Sequence, residues 1–250
     1  MPDVEATFRP RLVGSGAFIN NLAPRTVADE FMGGTAAVIT SASSNANVGE
    51  CNWNVADSGA GGDLRFQPST AEMMGWYKLQ AAATGLFGVY LGSRPSSSAG
   101  LLLEQMGYWE WRGTFNGPIF PNAVDGVTRF GFGQDAAAVE LGDESLYVAV
   151  APALSPFLLT GSRSGGVSTI RETTVRWVLG QVYDMRCVRV SDARFEFFID
   201  QILRSEHDTA DGTIVPPPGT LLGFMNQAEG GAADPSELGM DRFQFLRVPR

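Results

Sequence analysis

The residues with which this 250-residue chain could do acid–base or metal chemistry are one histidine, two cysteines and 27 acids. Cleavage of a glycosidic bond asks for two carboxyl groups about 5 to 9.5 Å apart. Two positions along a strand put side chains on one face roughly 6.6 Å apart, so acids spaced by two within a strand are the pattern to seek. Glu196 and Asp200 lie four residues apart, roughly 13 Å along an extended strand, too far for a retaining pair. Glu110 stands alone on its strand, between Trp109 and Trp111, and only a neighbouring strand can bring it a partner. Ser205-Glu206-His207-Asp208 contains the residue types of a catalytic triad, but triads assemble from separate segments around a buried orienting acid. The string reads as a polar loop with a solvated histidine.

Metal chemistry fares no better. One histidine and the widely separated Cys51 and Cys187 give no zinc spacing. Both cysteines sit in partly apolar, strand-like contexts and read as buried free thiols, with a disulfide between them left open. The expectation is no cofactor. Calcium is the one alternative, since loop oxygens from Asp57, Asp63, Asp125 or Asp211 would suffice for it. The five tryptophans, Trp53, Trp76, Trp109, Trp111 and Trp177, have rings that either fill a core or stack on sugars. Most are expected between two sheets. Trp109 and Trp111 are the candidate glycan or interface contacts, on the condition that one of them is exposed.

The elements that must position these residues are strands. Val175 to Leu203 carries two runs rich in Val, Phe, Tyr and Ile around Ser191-Asp192-Ala193-Arg194, which suits a turn between antiparallel strands. Alternation sends Phe195, Phe197 and Ile199 one way and Glu196, Phe198 and Asp200 the other. Trp177, Leu179 and Tyr183 alternate similarly in the first run. Further short β-rich runs, divided by Gly, Pro, Ser and Asn, include Gly75 to Gln80, Gly88 to Gly92, Met106 to Phe115, Val127 to Gly133, Ser145 to Val150, Phe157 to Gly161, Ser168 to Thr173, Leu221 to Asn226 and Arg242 to Val248. Only Pro68 to Gln80 and Ser98 to Gln105 suit short helices. Roughly a dozen strands with no internal repeat predict an all-β, two-sheet antiparallel jelly-roll sandwich.

Ahead of that sandwich, expected over residues 29–250, residues 1–28 read as an extended N-terminal arm. Between Ala6 and Ala28 there are three arginines, Arg9, Arg11 and Arg25, no acids, two prolines and a Gly14-Ser15-Gly16 hinge. The arm is the candidate docking segment for a larger partner on an otherwise acidic protein. A net charge of −9 without a Lys/Arg-rich run argues against nucleic acid and against an anionic membrane surface. No secretory signal is visible, and the most apolar stretch, Leu146 to Leu159, is broken by two prolines, so no membrane insertion is expected.

Three stretches resemble a known family. Phe31-Met32-Gly33-Gly34-Thr35 leading through Gly49 to Trp53, Gly75-Trp76-Tyr77-Lys78-Leu79-Gln80 ahead of Val89-Tyr90-Leu91, and Trp177 through Phe195-Glu196-Phe197-Phe198-Ile199-Asp200 are similar to the concanavalin A-like lectin/glucanase sandwich, in the form found in bacteriophage structural proteins. Asp241-Arg242-Phe243 opens the final strand as in that family. The glucanases of the family carry a Glu-x-Asp-x-x-Glu string, which is absent here. The resemblance covers residues 29–250. It implies a non-enzymatic virion protein, made in a bacterial host cytoplasm, with capsid decoration or cementing through the arm as the first expectation. It also implies contact with a major capsid or tail protein and a homo-oligomer such as a trimer. A tail or fibre receptor-binding module for a host glycan is the alternative, and a glycoside hydrolase is the second.

Overall fold

The computed structural model describes residues 25–29, 54–57, 63–67, 76–81, 86–91, 101–115, 127–133, 143–229 and 236–248. They form two eight-stranded antiparallel sheets. The first runs in the order β14 (Ile202–Asp208), β13 (Arg194–Ile199), β12 (Val182–Arg189), β7 (Met106–Phe115), β16 (Ser236–Arg247), β4 (Trp76–Ala81) and β3 (Asp63–Gln67), with β1 (Arg25–Asp29) also on β16. The second runs β11 (Val167–Arg176), β10 (Phe157–Ser164), β9 (Ser145–Val150), β8 (Val127–Gly133), β15 (Leu221–Glu229), β5 (Leu86–Leu91) and β2 (Asn54–Asp57), with β6 (Leu101–Leu102) beside β15. The architecture is the expected two-sheet jelly roll, with sixteen strands among the described residues where about a dozen are legible in the sequence.

The long strands alternate as their sequences dictate. Trp109, Trp111 and Phe115 of β7, Tyr183, Met185 and Cys187 of β12, Phe195, Phe197 and Ile199 of β13, and Phe243 and Phe245 of β16 all point inward and are fully buried. They meet Phe130 and Phe132 of β8, Leu146, Val148 and Val150 of β9 and Leu158 of β10 from the other sheet. Aromatic rings join the two layers: Trp111 lies 4.5 Å from Phe243 within its own sheet and 5.6 Å from Phe130 across the gap, centroid to centroid. Cys187 is a free thiol in this core, and burial pushes its pKa up. Cys51 lies outside the described residues.

The expected turn at Ser191 to Arg194 joins β12 to β13, closed by Val190 N–H to the Arg194 carbonyl at 3.0 Å. The first run of that hairpin is shorter than its alternation suggests. β12 begins at Val182, and Leu179 lies in an exposed connection, because Trp177 directly follows the end of β11 and is not part of the hairpin. Where the sequence suits two helices, β4 takes up residues 76–81, and Leu103–Gln105 forms one 3-10 turn after β6.

Gly113, in the middle of β7, is required by close approach. A Cβ there would overlap the carbonyl oxygen of Gly239 on the adjacent strand and stand 2.8 Å from Phe130 Cζ. Since one obstacle is backbone, rotamer changes cannot relieve it. Gly113→Ala is expected to destabilise the fold by about 1–3 kcal/mol, read as a lower denaturation midpoint at unchanged m-value.

Candidate functional site on the outer face of the first sheet

Inward rings on alternate positions leave the intervening side chains of β12, β7 and β16 on the outer face. The register sets Arg186 opposite Glu110 and Asp184 opposite Arg112 on one side of β7, and Gln244 opposite Glu110 and Arg242 opposite Arg112 on the other. Glu110 is thus flanked by both neighbouring strands. Its Oε2 accepts from Arg186 Nε at 2.7 Å and from the Arg186 terminal nitrogen, and its Oε1 accepts from Arg242 Nη2 at 2.8 Å. The same Arg242 nitrogen reaches Asp184 Oδ1 at 3.4 Å. Glu110 is only 6% exposed, whereas the arginines reach solvent.

Tyr108 extends the face. The Arg186 guanidinium lies 5.1 Å above its ring, and its hydroxyl accepts from Gln244 Nε2 at 2.8 Å. Burial, and then the Glu110 carboxylate, raise the Tyr108 pKa, so the phenol keeps its proton and can donate. At the end nearer the β13–β14 turn, a cleft of about 390 Å³ is lined by Glu110, Asp184, Arg186, Phe198, Gln201 and Arg242. The turn is built from two non-glycine residues at positive φ, Asp200 at 51° and Gln201 at 64°. Asp200 is pinned to β12, donating its N–H to the Asp184 carbonyl at 2.8 Å and accepting from Asp184 N at 3.1 Å.

This arrangement presents groups that can bind a ligand. A glycosidase leaves the space between its two carboxyls for the bond to be broken. Here the two acids that neighbouring strands bring together, Glu110 and Asp184, are separated by the Arg242 nitrogen that contacts both. What the cleft offers a ligand is guanidinium and amide donors, carboxylate acceptors and the partly exposed ring of Phe198.

Comparison with known proteins bears on the fold. No protein-family model matches the sequence, and no curated protein matches it. Among solved structures, the chain is similar to a protein of unknown function from Shewanella oneidensis MR-1, at 12% identity and a TM-score of 0.57 over 92% of this chain and 90% of that one. It is also similar to the carbohydrate recognition domain of Emp47p (13% identity, TM-score 0.54, 79% and 89% covered) and to the Bacillus licheniformis beta-glucanase (12%, 0.51, 90% and 98%). The fold is the concanavalin A-like lectin/glucanase sandwich. At these identities the likeness extends to the fold alone.

On this sandwich, Trp109 and Trp111 are fully buried between the sheets, which removes both as glycan or interface contacts. Alternation from Glu110 decides it: the side that carries the ion pairs is the outer one. Arg25 opens β1, its backbone paired with Arg247, while Arg9 and Arg11 lie outside the described residues. Of the calcium candidates, Asp57 and Asp63 fall in β2 and β3, and Asp125 lies outside the described residues. Asp211 gives its carboxylate to Thr213 and, at 2.5 Å, to Arg171. Among the described residues no group of three or more His, Cys, Asp or Glu side chains could hold a metal ion.

Glu196 and Asp200 do not share a strand face, because β13 stops at Ile199 and Asp200 belongs to the turn. A Glu-x-Asp spacing does occur in β14, at Glu206 and Asp208, but Glu206 pairs with Arg194 at 3.0 Å and Asp208 accepts from Ala210 N at 2.8 Å.

His207 is the main correction. It is a fully buried strand residue, not a solvated loop one, and it ties the sheets together. Its Nδ1 is 2.7 Å from Ser162 Oγ and its Nε2 3.0 Å from Thr160 Oγ1, both on β10 of the other sheet. Ser162 donates to the Ile214 carbonyl at 2.5 Å, so the neutral ring carries its proton on Nδ1 and accepts from Thr160 at Nε2. A serine beside a histidine nitrogen is a nucleophile's arrangement, but both side chains are fully buried and no substrate reaches them. Their role is structural.

Proposed function

We propose that this chain is a non-enzymatic structural protein of a bacteriophage particle, a capsid decoration protein that docks through the N-terminal segment carrying Arg9, Arg11 and Arg25 and displays the sandwich. The observation that supports a binding role over a catalytic one is Arg242, whose guanidinium fills the space between Glu110 and Asp184. The virion role draws its support from the resemblance of residues 29–250 to the sandwich of phage structural proteins, and from an acidic sequence without a Lys/Arg-rich run. Immunogold electron microscopy of intact particles, with antibody against the recombinant protein, is expected to label the head. Label on the tail tip moves the role to receptor binding, and unlabelled particles overturn the virion reading.

A glycan-binding module is the second reading, and the cleft favours it specifically. Phe198 beside Asp184, Arg186 and Gln201 combines an apolar surface with hydrogen-bonding groups, the mixture a sugar requires. Under this reading Phe198→Ala abolishes retention on a glycan array. Under either reading, incubation with host polysaccharide releases no reducing ends above buffer, with Glu110→Gln indistinguishable from the unsubstituted chain. Release that Glu110→Gln eliminates would restore the hydrolase.

A further inference from the structure

β11 ends the order of the second sheet, and among the described residues no strand pairs with its outer side. An edge strand presents unpaired N–H and C=O groups, and natural edges are blunted by shortness, proline, bulges or guarding charges. β11 has little of this protection. It is ten residues long, contains no proline, and six of its residues are β-branched. Its ladder with β10 is regular from Val167 to Glu172 and shifts only beyond that point. The two central charges are turned to other duties: Arg171 binds Asp211 and, at 2.7 Å, Thr213, while Glu172 accepts from the Ser155 hydroxyl. Val167 and Ile170 are left 55% and 47% exposed.

We propose that β11 is a contact edge between two copies of this chain, paired antiparallel about a two-fold axis through Ile170 so that their second sheets become one. The strand's own pattern selects both partner and register. A two-fold axis normal to a sheet keeps every side chain on its own face, so residues facing across it have even-numbered sums. Centring on Arg171 or Glu172 sets like charges opposite each other, which is destabilising. Centring on Thr173 meets the register shift, and centring on Thr169 or Ser168 shortens the ladder and sets Ile170 opposite Ser168 or Gly166 instead of its copy. Centring on Ile170 sets Ile170 against its copy, Thr169 against Arg171, Ser168 against Glu172 and Val167 against Thr173. No like charges then oppose, and both exposed aliphatic residues are covered.

The backbone agrees with this register. Gly165 and Gly166, at φ 55° and 77°, form the two-residue turn from β10, which makes Ser164 and Val167 a hydrogen-bonded pair. Alternation along the ladder then turns the N–H and C=O of Ser168, Ile170 and Glu172 away from β10, toward the partner. An isologous contact of this kind closes at two copies. It holds whichever ligand or particle the protein serves.

The test uses the full chain. Light scattering is expected to give twice the 26.7 kDa chain mass, and Ile170→Lys to halve it with an unchanged far-ultraviolet circular dichroism spectrum. In a hydrogen-bonded antiparallel pair the Cα atoms stand about 5.5 Å apart, within disulfide range. Ile170→Cys is therefore expected to crosslink into dimers on oxidation, above the background of the unsubstituted chain. Ser168→Cys and Glu172→Cys, two positions off the axis on the same face, are expected to stay uncrosslinked. A monomeric unsubstituted chain, a dimer that persists in Ile170→Lys, or crosslinking at 168 or 172 without crosslinking at 170 would each overturn the proposal.

Discussion

Replacing Trp111 by alanine will lower the stability of the sandwich by about 3–5 kcal/mol, the range for removing a large aromatic side chain from a packed core. Trp111 sits near the middle of β7, between β12 and β16, and is fully buried. Its ring is one of the few that touches both layers, packed on Phe243 beside it and on Phe130 opposite. Phe130 also packs edge-on against Phe115, centroids 5.2 Å apart, so the vacancy would undercut a second aromatic contact. Flanking backbone is held in two ladders and cannot collapse into the space, which puts the loss toward the upper end. Chemical denaturation reads it as a drop in midpoint at constant m-value. A loss below about 1 kcal/mol would mean that the ring is not between the sheets.

Stability will also fall as the solution is acidified through the range set by His207. Burial first, and then the nearby Arg171 charge, lower its pKa to about 4, with Asp211 opposing. The unfolded chain binds that proton near its ordinary value of about 6.5. Above that pH both states are neutral at this residue and stability is at its full value. Between about 6.5 and 4 the unfolded state binds more protons than the folded one. Unfolding is then favoured by up to about 1.4 kcal/mol per pH unit, about 3 kcal/mol in all, and levels off below. Burial explains the resistance: the ring is closed off from water between the sheets, where a charged imidazolium loses its hydration, and the Arg171 charge stands nearby. His207→Asn is expected to be less stable at neutral pH but flatter in acid. Carboxylates act in the same range, so the readout is the difference between the two chains' stability–pH curves. Parallel curves would show that His207 does not titrate differently on folding.

The layered fold was legible because its signals are local. Each side chain in Arg194–Ile199 takes its face from its neighbours, and Phe195, Phe197 and Ile199 are inside as alternation requires. The runs Val127–Gly133 and Ser145–Val150 coincide with observed boundaries for the same reason, and the turn expected at Ser191 to Arg194 overlaps the observed connection except at Arg194, which opens β13. The candidate site was legible only in part. The sequence marks Glu110 as an acid that needs a partner from another strand, but it does not mark Asp184, Arg186 or Arg242, since 74 or more residues separate them from it and pairing register is not a local property. His207 departs from its sequence expectation for a related reason. Its polar neighbours in sequence suggest a loop, whereas the hydroxyls that satisfy it, Thr160 and Ser162, come from a strand of the other sheet.

Composition and alternation by themselves determined that this chain folds as a two-sheet β-sandwich, places the rings at alternate positions of its long strands between the layers and carries a net charge of −9. Tertiary structure alone decided what stands beside what: that Glu110 is held between two arginines, that the lone histidine is buried, and that β11 ends its sheet among the described residues. The physical reason is range. Which face a side chain occupies follows from a two-residue repeat, but which strand lies next to it depends on the packing of the entire sandwich.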